Sequence, residues 1–146
     1  MRRIGEPRVP GVRYRPRPGV YAILPRDGGL LLTFQAEPEP ELQLPGGGVD
    51  PGESPLQALH REVFEETGWR IANPFRLGAY RRFVFMPEYD MWAEKICTIY
   101  VAHPVRPLGP PSEEGHMPVF TDIETAQSEI ASPGDRHFVS RWAASV

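Results

Sequence analysis

Between Pro45 and Trp69 the chain reads PGGGVDPGESPLQALHREVFEETGW, and no other stretch constrains the fold as much. Gly46, Gly47 and Gly48, followed by Asp50-Pro51-Gly52, are loop and turn signals. Ser54-Pro55 is a cap residue followed by proline at the first helical position. From Pro55 to about Thr67 the period is helical, and Gly68 supplies the stop. At about 100° per residue, Leu56, Leu59 and Val63 gather on one side, and Ala58, Glu62, Glu65 and Glu66 on an adjoining side. The helix is expected to pack by the first face and to carry its acids on the second. Each like-charged pair at this spacing costs about 0.2–0.5 kcal/mol, so something must offset the repulsion. The obvious candidate is a divalent cation. The plain alternative is an acidic face left to solvent.

The flanking segments predict strands. GVYAIL and LLLTFQ, separated by PRDGG, read as a hairpin, and ELQL as a short strand leading into the glycine loop. WRIANPFRLGAYRRFVFMP and WAEKICTIYVAHPV are longer strands joined by MPEYDM. MPVFTDI is a further strand, DIETAQSEI a short helix, and SPGDRHFVSRWAA a capped C-terminal helix. This order predicts an α+β fold with a mixed sheet between helices.

Composition narrows the class. The 146 residues suit one domain with a real core. A net charge of −3 gives no general electrostatic case for nucleic acid, and no stable nucleic-acid partner is expected. No apolar run is long enough to span a membrane. One cysteine, Cys97, excludes an internal disulfide and fits a reducing, cytoplasmic setting. Residues 1–18 hold six arginines and one acid and read as a solvated or loosely docked arm, with the single domain running from 19 to 146. The sharper reading of the arm is that some of its arginines reach a substrate phosphate.

From Gly47 the sequence runs five residues to Glu53, seven more to Arg61, then Glu62-Val63-Phe64-Glu65-Glu66-Thr67-Gly68-Trp69. This resembles the box of the Nudix hydrolase family (MutT-like), usually written GX5EX7REUXEEXGU. Every fixed position is present, and Trp69 stands where an aliphatic residue is usual. The resemblance implies an α/β/α sandwich with a mixed central β-sheet and a nucleotide pyrophosphatase activity dependent on Mg²⁺ or Mn²⁺. It implies the Gly46 carbonyl and the carboxylates of Glu62, Glu65 and Glu66 as metal ligands, with Arg61 and Glu53 orienting the helix acids. The chemistry is consistent with the parts. A pyrophosphate ester resists water until its charge is neutralised, hard cations prefer oxygen ligands, and glycine lets backbone approach closely.

Members of the family commonly use one more acid. Glu113 and Glu114 are the leading candidates, then Glu94, with Glu88 and Asp90 behind them. Arg81 or Arg82 could face substrate phosphate, His116 could touch substrate, and Tyr89, Trp92 or Phe85 could stack a base, although burial in the core is the better account of such aromatics. The implied substrate is a small nucleotide, a nucleoside diphosphate derivative, most simply a nucleoside triphosphate or modified nucleotide. Dinucleoside polyphosphates, ADP-ribose and RNA 5′-pyrophosphates are the alternatives, and a nucleotide-sensing regulatory domain is the non-enzymatic one. A homodimer is left open.

Overall fold

Strand alternation sets the layering. Along β2 (Arg15–Ile23) and just beyond it, Val20, Ala22 and Leu24 face one way and Ile23 the other; along β4 (Gly29–Gln35), Leu31 opposes Leu30 and Leu32. Both sets are apolar, so both faces are covered. The first packs under Ala58, Leu59 and Val63 of α1 (Pro55–Thr67). The second packs against Ala126 of α2 (Ile123–Glu129) and Phe138, Val139 and Trp142 of α3 (Pro133–Ser145). The result is a helix–sheet–helix sandwich, seen in a computed structural model that describes residues 1–146.

The sheet layer has two parts. β7 (Trp69–Met86) and β8 (Met91–Pro107) form a long antiparallel hairpin, with a 3₁₀ turn at Pro87–Tyr89. β2 joins β8 in parallel, β6 (Gly46–Gly48) joins β2 antiparallel, and β1 (Arg2–Arg3) lies parallel on the outer edge of β7. The spatial order is β1-β7-β8-β2-β6, a mixed sheet. In the second part β4 pairs with β3 (Pro25–Arg26), β5 (Glu41–Gln43) and β9 (His116–Asp122), all antiparallel.

Three local expectations change. GVYAIL and LLLTFQ are not the two arms of one hairpin: β2 pairs with β8, and the β3–β4 hairpin over Asp27 and Gly28 reaches back only to Leu24, whose carbonyl accepts from the Leu31 N–H. The chain passes from one sheet to the other after Ile23, a long-range choice that local alternation does not reveal. Leu56 is 43% exposed while Ala58 is fully buried, so α1 is turned about its axis relative to the wheel reading. The small Ala58 lets the helix sit close to the sheet. Lastly, Arg15–Pro18, within the segment read as an arm, already belong to β2.

Candidate active site

Capping fixes where α1 begins and ends. Ser54 Oγ accepts from the Gln57 N–H at 3.1 Å, and Gln57 Oε1 accepts from the Ser54 N–H at 2.9 Å, a reciprocal capping box. Gly68 at φ 76° closes the helix with its N–H on the Phe64 carbonyl at 2.8 Å. Between these ends Glu62 and Glu66 are presented to β6, while Glu65 is held by Arg61. The Gly46 N–H donates to Glu66 Oε1 at 3.1 Å. Gly46 sits at φ 154° hard against the Val20 carbonyl, where no side chain fits. A Cβ on Gly47 would lie 2.5 Å from the Glu62 carboxylate. The glycine strand therefore rests directly on the acids.

Arg61 ties the loop to the helix. Its Nε donates to Glu53 Oε2 at 2.8 Å and its Nη2 to Glu53 Oε1 at 2.9 Å, a two-pronged pair. Nη1 serves Glu62 Oε1 at 2.9 Å and Glu65 at 3.3 Å, and Nη2 also reaches the Gly48 carbonyl at 3.0 Å. The Arg61 hydrogen bonds, backed by the Asp50 N–H, hold the Glu53 carboxyl down at about 2. Glu53 returns the effect, pushing the guanidinium further up.

The other half of the site comes from the loop before β9. The Glu113 N–H donates to the Glu65 carbonyl at 2.8 Å, docking this loop on the end of α1. Its carboxylate then completes two groups, Glu62-Glu65-Glu113 and Glu66-Glu113-His116, whose ligating atoms lie within 4.8 Å of one another. His116 Nδ1 lies 3.0 Å from Thr33 Oγ1 and 4.0 Å from Glu66 Oε2. Burial raises Glu66 well above the usual carboxylate range, with Glu62, Glu113 and Glu65 adding to it. Burial likewise raises Glu62, against the pull of Arg61. Acids packed this way are short of positive charge, and the oxygen-rich donor set suits a hard divalent cation.

These groups open into a cleft of about 590 Å³. Arg82, Tyr89 and His116 line it, and so does Glu88, though outside both acid groups. Arg81 does not. Neighbouring residues on a strand point oppositely, and Arg81 pairs with Glu94 at 3.7 Å beside a separate cavity shared with Arg3 and Arg8. Glu94 is thus held on the far face, and Glu114 stands outside both acid groups. Asp90 sits at the hairpin tip in a left-handed conformation (φ 45°). Phe85 and Trp92 pack on each other at 5.2 Å, with Tyr14 6.0 Å from Trp92, and none of the three lines the cleft. A further cavity beside Trp69 and Phe120 is lined by Asp27 and Asp122 and by none of the glutamates of either group.

Tyr21, Lys95 and Asp135 also line the cleft and have no sequence signal of their own, whereas Arg17 is one of the arm arginines expected to reach a phosphate. Asp135 is buried, accepts from the Tyr80 hydroxyl at 2.7 Å, and is pushed up to about 6 by burial. Its place in the first turn of α3 is visible in SPGD; its position beneath β7 is not.

A glycine strand locked to an acidic helix inside an α/β/α sandwich defines the Nudix class. Residues 13–142 match the NUDIX domain, and the chain belongs to that family. A Bacillus subtilis protein provisionally named an 8-oxo-dGTP diphosphatase is 36% identical over 74 residues, 51% of this chain and 50% of that one. An RNA pyrophosphohydrolase of Halorhodospira halophila is 43% identical over 68 residues, 47% of this chain and 38% of that one. The matched region therefore spans half or less of these relatives' length. The fold is similar to that of a NUDIX hydrolase from Nitrosomonas europaea, with a TM-score of 0.74, 22% identity and 90% of each chain covered. It is also similar to a MutT NUDIX hydrolase from Burkholderia pseudomallei, with a TM-score of 0.66, 22% identity, and 86% and 97% of the two chains covered.

Proposed function

We propose that this protein hydrolyses a phosphoanhydride bond in a nucleoside diphosphate derivative with the help of Mg²⁺ or Mn²⁺, a nucleoside triphosphate or modified nucleotide being the leading substrate. The observation that carries this reading is the convergence of Glu62, Glu66 and Glu113 in one cleft, with Glu65 grouped beside Glu62 and Glu113 and with Arg61 bonded to Glu62, Glu65 and Glu53.

The carboxylates of Glu62, Glu65 and Glu66, with the Gly46 carbonyl, would hold the cation. The buried, repelling acids and the side-chain-free approach at Gly47 fit such a group. When bound, the cation neutralises polyphosphate charge and lowers the pKa of water. The chain supplies the rest. The Gly46 N–H fixes one oxygen of Glu66. Arg61 and Glu53 set the rotamers of Glu62 and Glu65. Glu113, on an exposed loop anchored at its own backbone, would take a proton from the attacking water, a role supported by its grouping with the helix acids. A base 1 Å out of place loses much of its effect, which is why the anchor matters.

The substrate named for the B. subtilis relative is a nucleoside triphosphate, and the names of several others specify RNA pyrophosphohydrolysis, which supports a triphosphate end as the common chemistry. A product-resolved assay over a nucleotide panel tests the reading: release of nucleoside monophosphate or phosphate with Mg²⁺ or Mn²⁺ is expected. Tight nucleotide binding with no turnover on any substrate would instead favour a nucleotide-sensing domain.

A further inference from the structure

The cleft opposes its acids with a row of cations. Arg17 on β2 is the ladder partner of Lys95 on β8, and Lys95 is the partner of Arg82 on β7. Directly opposed residues leave the same face of a sheet, so the three side chains stand side by side, and all three line the cleft. Like charges so placed repel. None of the three forms an ion pair with the chain, although neighbouring Arg81, on the other face, has its Glu94. All three are half-buried. Aromatic rings hold two of them in place: the Arg17 guanidinium lies 4.8 Å from the centre of the Tyr89 ring, and Lys95 Nζ lies 5.9 Å from that of Tyr21. The buried carboxyl beneath, Asp135, is already bonded to Tyr80.

The row has a direction. Gly19, two residues beyond Arg17, pairs with Gly48 of the glycine strand, so the β2 end of the row lies beside the acids. Strands are about 4.8 Å apart, so Arg82 stands roughly 10 Å across the sheet from Arg17. A polyphosphate held at the acids meets the Arg17 end, while Lys95 and Arg82 face what is attached beyond it.

We propose that Arg17, Lys95 and Arg82 form a subsite for a second phosphate, one the substrate carries outside the anhydride that is hydrolysed. This inference rests on the hydrolase reading of the cleft. Two substrates supply such a group: an oligonucleotide with a 5′-polyphosphate, through its 3′-phosphodiester, and a dinucleoside polyphosphate, through its distal phosphates. Exposed Tyr89, beside Arg17, offers a flat face for a base next to that phosphate.

Binding separates the sources. Adenosine 3′,5′-bisphosphate and AMP differ only in the added 3′-phosphate, and neither has an anhydride to cleave. Calorimetry should show the bisphosphate binding at least about tenfold more tightly, with the gap closing at high salt. Lys95→Gln and Arg82→Gln should each remove most of that preference, costing the bisphosphate more than AMP. The dinucleoside arm compares methylene-bridged, hydrolysis-resistant analogues of ATP and diadenosine tetraphosphate in the same proteins. A preference confined to this pair assigns the subsite to a dinucleoside polyphosphate; one confined to the first pair assigns it to an oligonucleotide. No preference in either pair, or one that survives both substitutions, overturns the subsite. Turnover is scored apart. A chain that prefers the extra phosphate through these cations yet hydrolyses nothing would keep the subsite and lose the hydrolase reading. Hydrolysis without the preference would do the reverse.

Discussion

Arg61 spends one planar group on three carboxylates, Nε and Nη2 on Glu53, and Nη1 on Glu62 and Glu65. Lysine would keep the charge and lose the fork. Arg61→Lys should therefore lower turnover by about 10–100-fold, as loss of groups that orient metal ligands does. Nucleotide affinity, measured directly with Ca²⁺, should hardly change. Normal turnover with weakened binding would instead place Arg61 on the substrate. A second residue-scale expectation concerns Asp135, whose carboxyl titrates near 6 in the fold against an ordinary 3.8. Between those pH values the folded state holds the proton and the unfolded chain releases it, so stability falls as pH rises through this window. The two-unit gap is worth up to about 3 kcal/mol. Asp135→Asn keeps an acceptor for Tyr80 and never ionises, so its melting temperature should exceed the wild type's at pH 8 and converge with it near pH 4. A lower value at pH 8 would mean that Arg82 and Lys95 need the carboxylate charge.

At the scale of the element, α1 both anchors the fold and presents the acids, and its rotation separates the two duties. Leu59 is fully buried and Leu56 is 43% exposed, one on the sheet and one towards solvent. Leu59→Ala should cost about 2–5 kcal/mol in denaturant unfolding, and Leu56→Ala about 0.5 kcal/mol or less. Equal costs would mean that the helix lies as the apolar spacing alone suggests. The strand against α1 is equally exacting. Gly47→Ala drives a methyl into the Glu62 carboxylate, so turnover should fall by more than stability does, a difference read by comparing rate with melting temperature.

Across the whole molecule, the sandwich gathers acids from a helix and a distant loop and leaves them mutually repelling. A cation that binds only the folded site must stabilise the fold, by about 2.7 kcal/mol at a concentration of 100 Kd. Mn²⁺ should accordingly raise the melting temperature, and EDTA should both reverse that rise and abolish hydrolysis. Glu66→Gln should blunt the Mn²⁺ effect and cut turnover by at least about a hundredfold. A protein that turns over fully without metal would contradict the assignment of these acids.

What the sequence determined is local. Arg61, Glu62, Glu65 and Glu66 share one helix, so the 3.6-residue period brings them together whatever the rest of the chain does. Ser54, Pro55 and Gly68 mark that helix by chemistry that acts over three or four residues. Glu53 lies one loop away, close enough that its spacing to Arg61 carries the pairing. The remaining site residues are joined across the chain. Glu113 enters because one backbone hydrogen bond docks its loop on α1, while Glu114, chemically identical, stays outside. Alternation shows that Arg81 and Arg82 point oppositely but not which one meets the cleft. Arg17, Lys95 and Arg82 become neighbours only when β2 runs parallel to β8 and leaves the hairpin its pattern suggested. A strand's own residues fix which side chains share a face; which partner and register it takes is decided by burial on both faces, and that depends on the whole chain.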